Sequence, residues 1–471
     1  MNPSSNMDHT IVTVTDIAMP GDTGVAKIDN FVVFIPGAVP GDRVAVRIIK
    51  REKRFGYAEL IAIEEASPHR IHPPCPHFDR CGGCTIQSIQ YTKQLEIKET
   101  YLRQCLKRIG KLDMPDSIFD PITPSPDIFW YRSKIELSFG NDGNGRIIAG
   151  MREKSSPAAF DASSVIPVPE CAIFSRAQKK VVEVVEDYVH SEGLFPYDGQ
   201  KKSGILRHLV LRESKVSGRL MVIAETKDEV PPSISELYYR LKREVPGVTS
   251  LYRTVNNRPG SYIDYSDTRH EGGELYIEES LASLKFRVYP ASFFQPNPAG
   301  ASFLYEKIGT LTSAERYRNV LGLYCGMAPI ELVVSRNAHH VAGIDHSKEN
   351  IDNARENALI NGIENCTFTA GKVEDIVLGR GFKRPDLVVV DPPRSGISPK
   401  GIDIITRLGA ASLIYVSCNP ATLARDLNRL ASRRYSPERI APFDLFPHTS
   451  HLETLVMLKA AKRGRSLDRE P

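Results

Sequence analysis

From residue 286 onward the chain alternates short apolar runs with amphipathic stretches, and few architectures accept that grammar. Strand-like runs fall at 319–324, 340–345, 366–370, 386–391 and 412–418. Helical spacing occurs between them at 329–337, 348–361, 400–408 and 421–432, and 454–459 supplies a last strand. Strands joined through crossover helices pair in parallel. The expected fold of 286–471 is therefore a doubly wound, Rossmann-like α/β sheet. Residues 460–471, basic and polar, read as a loose tail.

A sheet of this kind binds its ligands beyond the carboxyl ends of its strands, so the predicted strand tips hold the candidate site. Leu323-Tyr324-Cys325-Gly326-Met327 ends the first strand, where glycine lets a nucleoside cofactor approach the backbone. Asp345 ends the second, a position from which an acid binds ribose hydroxyls. Asp391-Pro392-Pro393-Arg394 ends the fourth and can present a carboxylate and carbonyls to a planar substrate nitrogen. Cys418 ends the fifth, and Asn419-Pro420 opens the next helix, Asn capping free amides and Pro presetting the first turn. The positive end of that helix would favour thiolate, the nucleophilic form of cysteine. Taken singly, an acid here is a helix cap and a cysteine a small buried side chain. Alignment on successive tips points to chemistry instead. His448, His451 and Glu453 stand just ahead of the last strand as a candidate general-base segment.

A chain of 471 residues exceeds one ordinary domain. Short alternating strands at 11–14, 31–35, 43–49 and 57–63, separated by Pro-Gly turns, suggest a small closed barrel of the oligonucleotide-binding kind over 1–66. Its basic run Lys50-Arg51-Glu52-Lys53-Arg54, with Phe55 and Tyr57 following, fits a surface that grips phosphates and stacks bases. Residues 67–285 mix strands at 131–139, 147–150, 206–212 and 220–225 with helices at 91–106, 175–191 and 235–244, and read as a central α+β domain.

Eight cysteines could form disulfides, but three of them crowd together as Cys75, Cys81 and Cys84 in a C-x5-C-x2-C spacing. Three thiolates close in sequence, with Gly82-Gly83 allowing a tight wrap, suit a metal or an iron–sulfur cluster. Cys171 is the best fourth ligand; zinc with His69, His72 or His77 is the alternative. A net charge of +4 is mildly basic, compatible with a polyanionic partner without demanding one. The first ten residues are polar and no apolar run approaches a membrane span, so a cytoplasmic protein without an obligate protein partner is expected.

A nucleophilic thiol, a carboxylate and a nucleoside-type cofactor together answer one chemical problem. Carbon 5 of uracil is too weak a nucleophile to take a methyl group directly. Thiolate addition at carbon 6 makes an enolate whose carbon 5 can attack the sulfonium of S-adenosylmethionine, and a base must then remove the carbon-5 proton. A stacked base has to be flipped out to reach such a pocket. With these motifs in this order, the chain resembles the iron–sulfur-containing RNA (uracil-5-)-methyltransferases over nearly its whole length, and most of all those acting on 23S ribosomal RNA. The resemblance implies a TRAM domain at the N-terminus and a [4Fe–4S] cluster held by Cys75, Cys81, Cys84 and Cys171. Phe293-Phe294-Gln295-Pro296-Asn297 matches a family segment and implies that Gln295 contacts cofactor or target base. Tyr324, Asp345 and Asp391 fall on the S-adenosylmethionine side of the family's site. Cys418 falls on its nucleophile and Glu453 on the base that removes the proton, with Asp391 also in the catalytic set. The implied substrate is a uridine in ribosomal RNA, with transfer RNA as the family's other main substrate.

One departure separates this chain from that pattern. The family's cofactor loop reads Asp-Leu-Tyr-Cys-Gly-x-Gly-x-Phe, whereas here it is Gly322-Leu323-Tyr324-Cys325-Gly326-Met327-Ala328-Pro329-Ile330. Ala328 brings a Cβ toward the cofactor and Pro329 removes an amide from the helix start. Lys372 stands where an Asn is usual. Two expectations follow: an active uridine methyltransferase, or an RNA-binding iron–sulfur protein with weakened or lost methyl transfer.

Overall fold

The computed structural model describes residues 9–19, 21, 23–154, 164–227, 233–260, 262–375 and 384–461; most of the tail expected at 460–471 lies outside them. The chain divides into two compact units. One comprises Met1–Lys98, Asp127–Ile277 and Phe446–Ser450, the other Glu99–Pro126, Glu278–Leu445 and His451–Pro471. Among the described residues, no helix is long and apolar enough to cross a membrane.

The first unit opens with a six-stranded sheet, in the order Thr10–Thr13, Arg43–Arg51, Phe55–Glu65, Phe31–Pro36, Thr23–Ile28, Asp16–Ala18 among the described residues. Alternating side chains turn Val12, Val33, Ile35, Val44, Val46 and Ala58 into one small core, while their neighbours face outward. A seven-stranded sheet follows, ordered Thr268–Gly273, Val248–Val255, Leu220–Thr226, Leu206–Glu213, Lys134–Asn141, Ile147–Arg152, Val165–Pro167 among the described residues. Helices Gln178–Ser191 and Ser235–Glu244 share one face of it. Val181, Val185, Leu237 and Leu241 pack there against Ile135, Leu137, Leu209 and Val222, as expected of an α+β arrangement.

The second unit is built on the sheet that carries the strand tips. Its strands are β1 (Tyr317–Leu323), β2 (Ala338–Asp345), β3 (Cys366–Ala370), β4 (Leu387–Val390), β5 (Ser412–Ser417), β6 (Tyr435–Phe443) and β7 (Glu453–Ala460). They lie in the order β3-β2-β1-β4-β5-β7-β6. The first five run parallel, and β7 enters antiparallel between β5 and β6. Order reverses between β1 and β4, which opens the crevice where such sheets take ligands.

Strand β6 was not evident from the sequence, because Pro437 and Pro442 lie inside it. The strand is at the sheet's edge, where a missing amide is tolerated, and the segment around Phe119–Thr123 bridges to it. The helix Pro298–Ser313 is a second addition: Asn297 caps it, accepting from the Gly300 amide at 2.9 Å. The predicted helix at 329–337 shortens to Pro329–Val334 and tightens into a 3-10 turn over Ser335–Asn337.

Candidate active site at the strand tips

Cys418 directly follows β5. Its position is fixed from both sides: Asn419 Oδ1 accepts from the amides of Ala421 and Thr422 at 3.0 and 3.4 Å, capping helix Pro420–Ala431. The Asn419 side-chain amide donates to the Arg394 carbonyl at 3.2 Å, and so does the Thr422 hydroxyl. One residue thus caps the helix and ties the cysteine loop to the Asp391–Arg394 loop. The register Ser417↔Thr454 makes Cys418 and Glu453 the next residues in line across β5 and β7. Asp391 leaves β4, the strand on the other side of β5. The chain therefore brings the candidate nucleophile Cys418, the carboxylate Asp391 and the candidate base Glu453 to adjacent tips.

Electrostatics overturn one expectation. Burial pushes the Cys418 thiol up to about 12, and the charges of Glu453 and Asp391 push the same way, outweighing Arg394. The free protein holds a thiol there, not the thiolate expected from the helix terminus. That helix contributes one local partial charge, whereas the carboxylates arrive from two other strands. Glu453 is buried at 2% exposure, and its own pKa lies far above the ordinary carboxylate range, through burial first and then Asp391. Burial also raises Asp391, to about 7. Arg394 is the cation that opposes both Cys418 and Glu453, and it meets His451 Nε2 at 3.2 Å.

Of the two histidines of the general-base segment, His451 stays beside Arg394 and His448 serves elsewhere. His448 belongs to the first unit, stacked on Phe129 at 4.5 Å, with Gln94 Nε2 3.2 Å from its Nδ1. Glu453 is the member of that segment whose charge bears on the thiol.

The tips of β1 and β2 form the other half. Asp345 is buried; its Oδ2 accepts from the Gly326 amide at 3.0 Å and its Oδ1 from the Ser347 amide at 2.9 Å. The acid thereby holds the glycine loop against β2. Tyr324, Gly326 and Ala328 all take the left-handed conformation, with φ of 61°, 54° and 66°. Ala328 completes the turn that a glycine would complete without strain, and Pro329 starts the helix at its first position, where its missing amide costs nothing. Gln295 is buried and hydrogen-bonds the fully buried Tyr305, whose ring oxygen feels Asp391, Glu453 and Glu331.

Tyr305, Arg394 and Glu331 were not singled out from the sequence. Tyr305 lies on the helix that was missed. Glu331, 3% exposed, offered no signal until its neighbours were known.

In the first unit, Cys75, Cys81, Cys84 and Cys171 line a single cavity of about 290 Å³ with Phe78, Arg132 and Met151. None of the four is in a disulfide. Burial raises Cys84 and takes Cys171 to about 11; each feels its neighbouring thiols, and Arg132 opposes both. Among the described residues, no group of three or more His, Cys, Asp or Glu is gathered tightly enough to hold a metal ion. Burial lowers the pKa of His77, a candidate ligand in the zinc alternative, which favours the neutral imidazole that a metal ligand requires.

On the N-terminal sheet, Phe34, Phe55 and Tyr57 cluster with ring centroids 5.5–5.8 Å apart. The Arg51 guanidinium lies 4.4 Å from the Phe31 ring centre, beside the basic hairpin tip.

Residues 11–61 match the TRAM domain, and residues 272–461 match the family described as tRNA (Uracil-5-)-methyltransferase. The chain is similar to an uncharacterised RNA methyltransferase of Halalkalibacterium halodurans, 34% identical over 465 residues, spanning 97% of this chain and 98% of the relative. A second such relative, from Clostridium acetobutylicum, is 35% identical over 460 residues, 96% of this chain and 97% of its own. Among solved structures, it is similar to the Pyrococcus abyssi tRNA (uracil-54, C5)-methyltransferase in complex with S-adenosyl-L-homocysteine. That likeness has 28% identity and a TM-score of 0.74, and covers 96% of this chain and 100% of the other.

Proposed function

The chain belongs to the RNA (uracil-5-)-methyltransferase family with an N-terminal TRAM domain, and from that premise we propose that it forms 5-methyluridine in RNA through a covalent adduct on Cys418. The observation that carries this reading is the convergence of Asp391, Cys418 and Glu453 on neighbouring strand tips.

S-adenosylmethionine supplies the methyl group as an electrophilic sulfonium carbon. The residues that would hold it are Tyr324 and Asp345 at the β1 and β2 tips, with Gln295 and Asp391. Cys418 gives its proton to water and its sulfur bonds carbon 6 of the uracil, placing the electron pair on carbon 5 as an enolate. Carbon 5 would then take the methyl group, the bond between that methyl and the sulfonium sulfur breaking and S-adenosylhomocysteine being the leaving group. Glu453 then accepts the carbon-5 proton, the ring double bond returns, and the carbon–sulfur bond breaks to release Cys418. A raised pKa makes Glu453 a stronger base than an ordinary carboxylate once ionised, and Arg394 favours the ionised form. Asp391 is placed to hold the uracil ring by a hydrogen bond at nitrogen 3.

The four-cysteine cavity is assigned a [4Fe–4S] cluster, a body wider than one ion and bound by four thiolates. Its role here is to organise the first unit, because the methyl transfer consumes no electron. The aromatic and basic face of the N-terminal sheet is assigned to RNA, by stacking and phosphate contact. The substrate proposed is a uridine of 23S ribosomal RNA. A transfer RNA uridine is the second reading, favoured by the Pyrococcus abyssi neighbour.

The test is Cys418→Ala, assayed with labelled methyl donor on 23S ribosomal RNA and on transfer RNA. Transfer should fall to background while RNA affinity stays within about twofold. Continued methylation by the variant would overturn the covalent mechanism, and the RNA labelled by the unaltered protein decides between the substrates.

A further inference from the structure

The next-to-last residue of strand β1, Gly322, has no side chain, and its place is taken from elsewhere. A Cβ built on Gly322 would collide with the carboxylate of Glu331, lying 2.6 Å from its Cδ. Gly322 pairs with Gly343 on β2 and Val389 on β4, so this carboxylate sits over the middle of the sheet, near the tips. Glu331 belongs to the first turn of helix Pro329–Val334, which follows the cofactor loop directly.

The position is an unfavourable one for an acid without a ligand. Glu331 is buried, and its Oε2 has no hydrogen-bond partner among the described residues. Burial raises its pKa to about 8; its own backbone amide opposes that shift, and the negative charges of Asp391 and Asp345 add to it. An apolar side chain would fill the same volume without those costs. A buried carboxylate close to two others is stabilised by a positive group, and the methionine moiety of the cofactor proposed for these tips carries an α-ammonium beside its α-carboxylate.

We propose that Glu331 is a cofactor-binding residue: its carboxylate, delivered from the helix into the space left by Gly322, binds the α-ammonium group of the methionine moiety. It supplies from the helix the negative charge that a side chain on Gly322 would supply from the strand. The departure in the cofactor loop is then an exchange of position, and methyl transfer need not be lost. This rests on the cofactor reading of the β1 and β2 tips and is independent of Cys418 as nucleophile.

Calorimetric binding of two ligands tests it. S-adenosylhomocysteine carries the ammonium group; 5′-methylthioadenosine has the same nucleoside without the amino acid. Glu331→Gln, nearly isosteric, should weaken S-adenosylhomocysteine about tenfold and leave 5′-methylthioadenosine within twofold. The double variant Gly322→Asp with Glu331→Ala returns a carboxylate from the strand side and should recover most of that loss, whereas Glu331→Ala alone should not. Equal weakening of both ligands, or of neither, would overturn the assignment. Should Glu331→Gln fail to fold, the double variant decides the matter: a folded protein with tenfold selective loss refutes relocation of the charge. If the unaltered protein binds neither ligand, the cofactor reading itself falls.

Discussion

The cysteine cavity of the first unit and the strand-tip corner of the second both gather buried groups that raise one another's pKa. Cys81 and Cys84 are raised by burial and by the neighbouring thiols; Cys418 and Glu453 are raised by burial and by Asp391. Each set is unfavourable as a group of bare anions, and each becomes favourable when a positive ligand arrives. They differ in softness. Four thiols around one cavity suit the permanent iron cluster proposed for them, while the thiol proposed as nucleophile has to remain free to attack carbon. Burial with like charge shows where a ligand's charge goes, and the donor atoms show whether the ligand stays.

The largest effect that would sharpen this contrast is on turnover. Glu453→Gln keeps the shape and the hydrogen bonding but cannot take the carbon-5 proton. Turnover should fall by about 10²–10⁴, and protein–RNA adduct should accumulate and survive denaturing electrophoresis. Loss of turnover without adduct would place Glu453 before the methyl-transfer step and break the assignment.

Next in size is the cavity. Cys84→Ser should remove the iron and lower stability by about 3 kcal/mol, the scale of deleting one member of a buried charged set. Cys105→Ser, outside the cavity, should leave iron content unchanged. Full iron content in Cys84→Ser would end the comparison, since the cavity would no longer be a ligand site.

A smaller effect separates a transient complement from a permanent one. Glu331 and Asp391 have folded-state pKa values raised to about 8 and about 7, from 4.5 and 3.8. A raised carboxylate favours the folded chain while protonated, so its contribution is present below the unfolded pKa and is lost as pH rises through the folded one. Cofactor-free protein should therefore lose stability between about pH 4.5 and 8. Glu331→Gln cannot ionise and should gain on the order of 2 kcal/mol relative to the unaltered chain between pH 5 and pH 8. Thermal unfolding at the two pH values reads this directly. An unchanged difference would mean that Glu331 is already charge-balanced in the folded state.

The sequence made the strand tips legible because their signals are local. Asn-Pro after an apolar run fixes a strand end and a helix cap within four residues, and Asp391-Pro392-Pro393 marks its own tip in the same way. Whatever depended on distant partners was hidden. Strand β6 contains two prolines that count against a strand unless its edge position is known. The raised pKa of Cys418 comes first from burial by distant packing and then from carboxylates at β4 and β7. Glu331 reads as an ordinary first-turn acid until the missing side chain of Gly322, nine residues earlier, is seen beneath it.

Ala328 gives the smallest and cleanest measurement. It sits at φ 66° and ψ 35°, fully buried, as the residue before helix Pro329–Val334, and its side chain makes no capping hydrogen bond. An L-residue held in that region is strained by about 1–2 kcal/mol, partly offset by glycine's greater freedom when unfolded. Ala328→Gly should therefore stabilise the cofactor-free protein by about 1 kcal/mol. If the loop already has its binding geometry, cofactor affinity should change by less than about threefold. A large gain in affinity with no gain in stability would mean instead that the Ala328 methyl obstructs the ligand. In that case the loop departure weakens binding at Ala328 itself, and the carboxylate of Glu331 would not be its whole remedy.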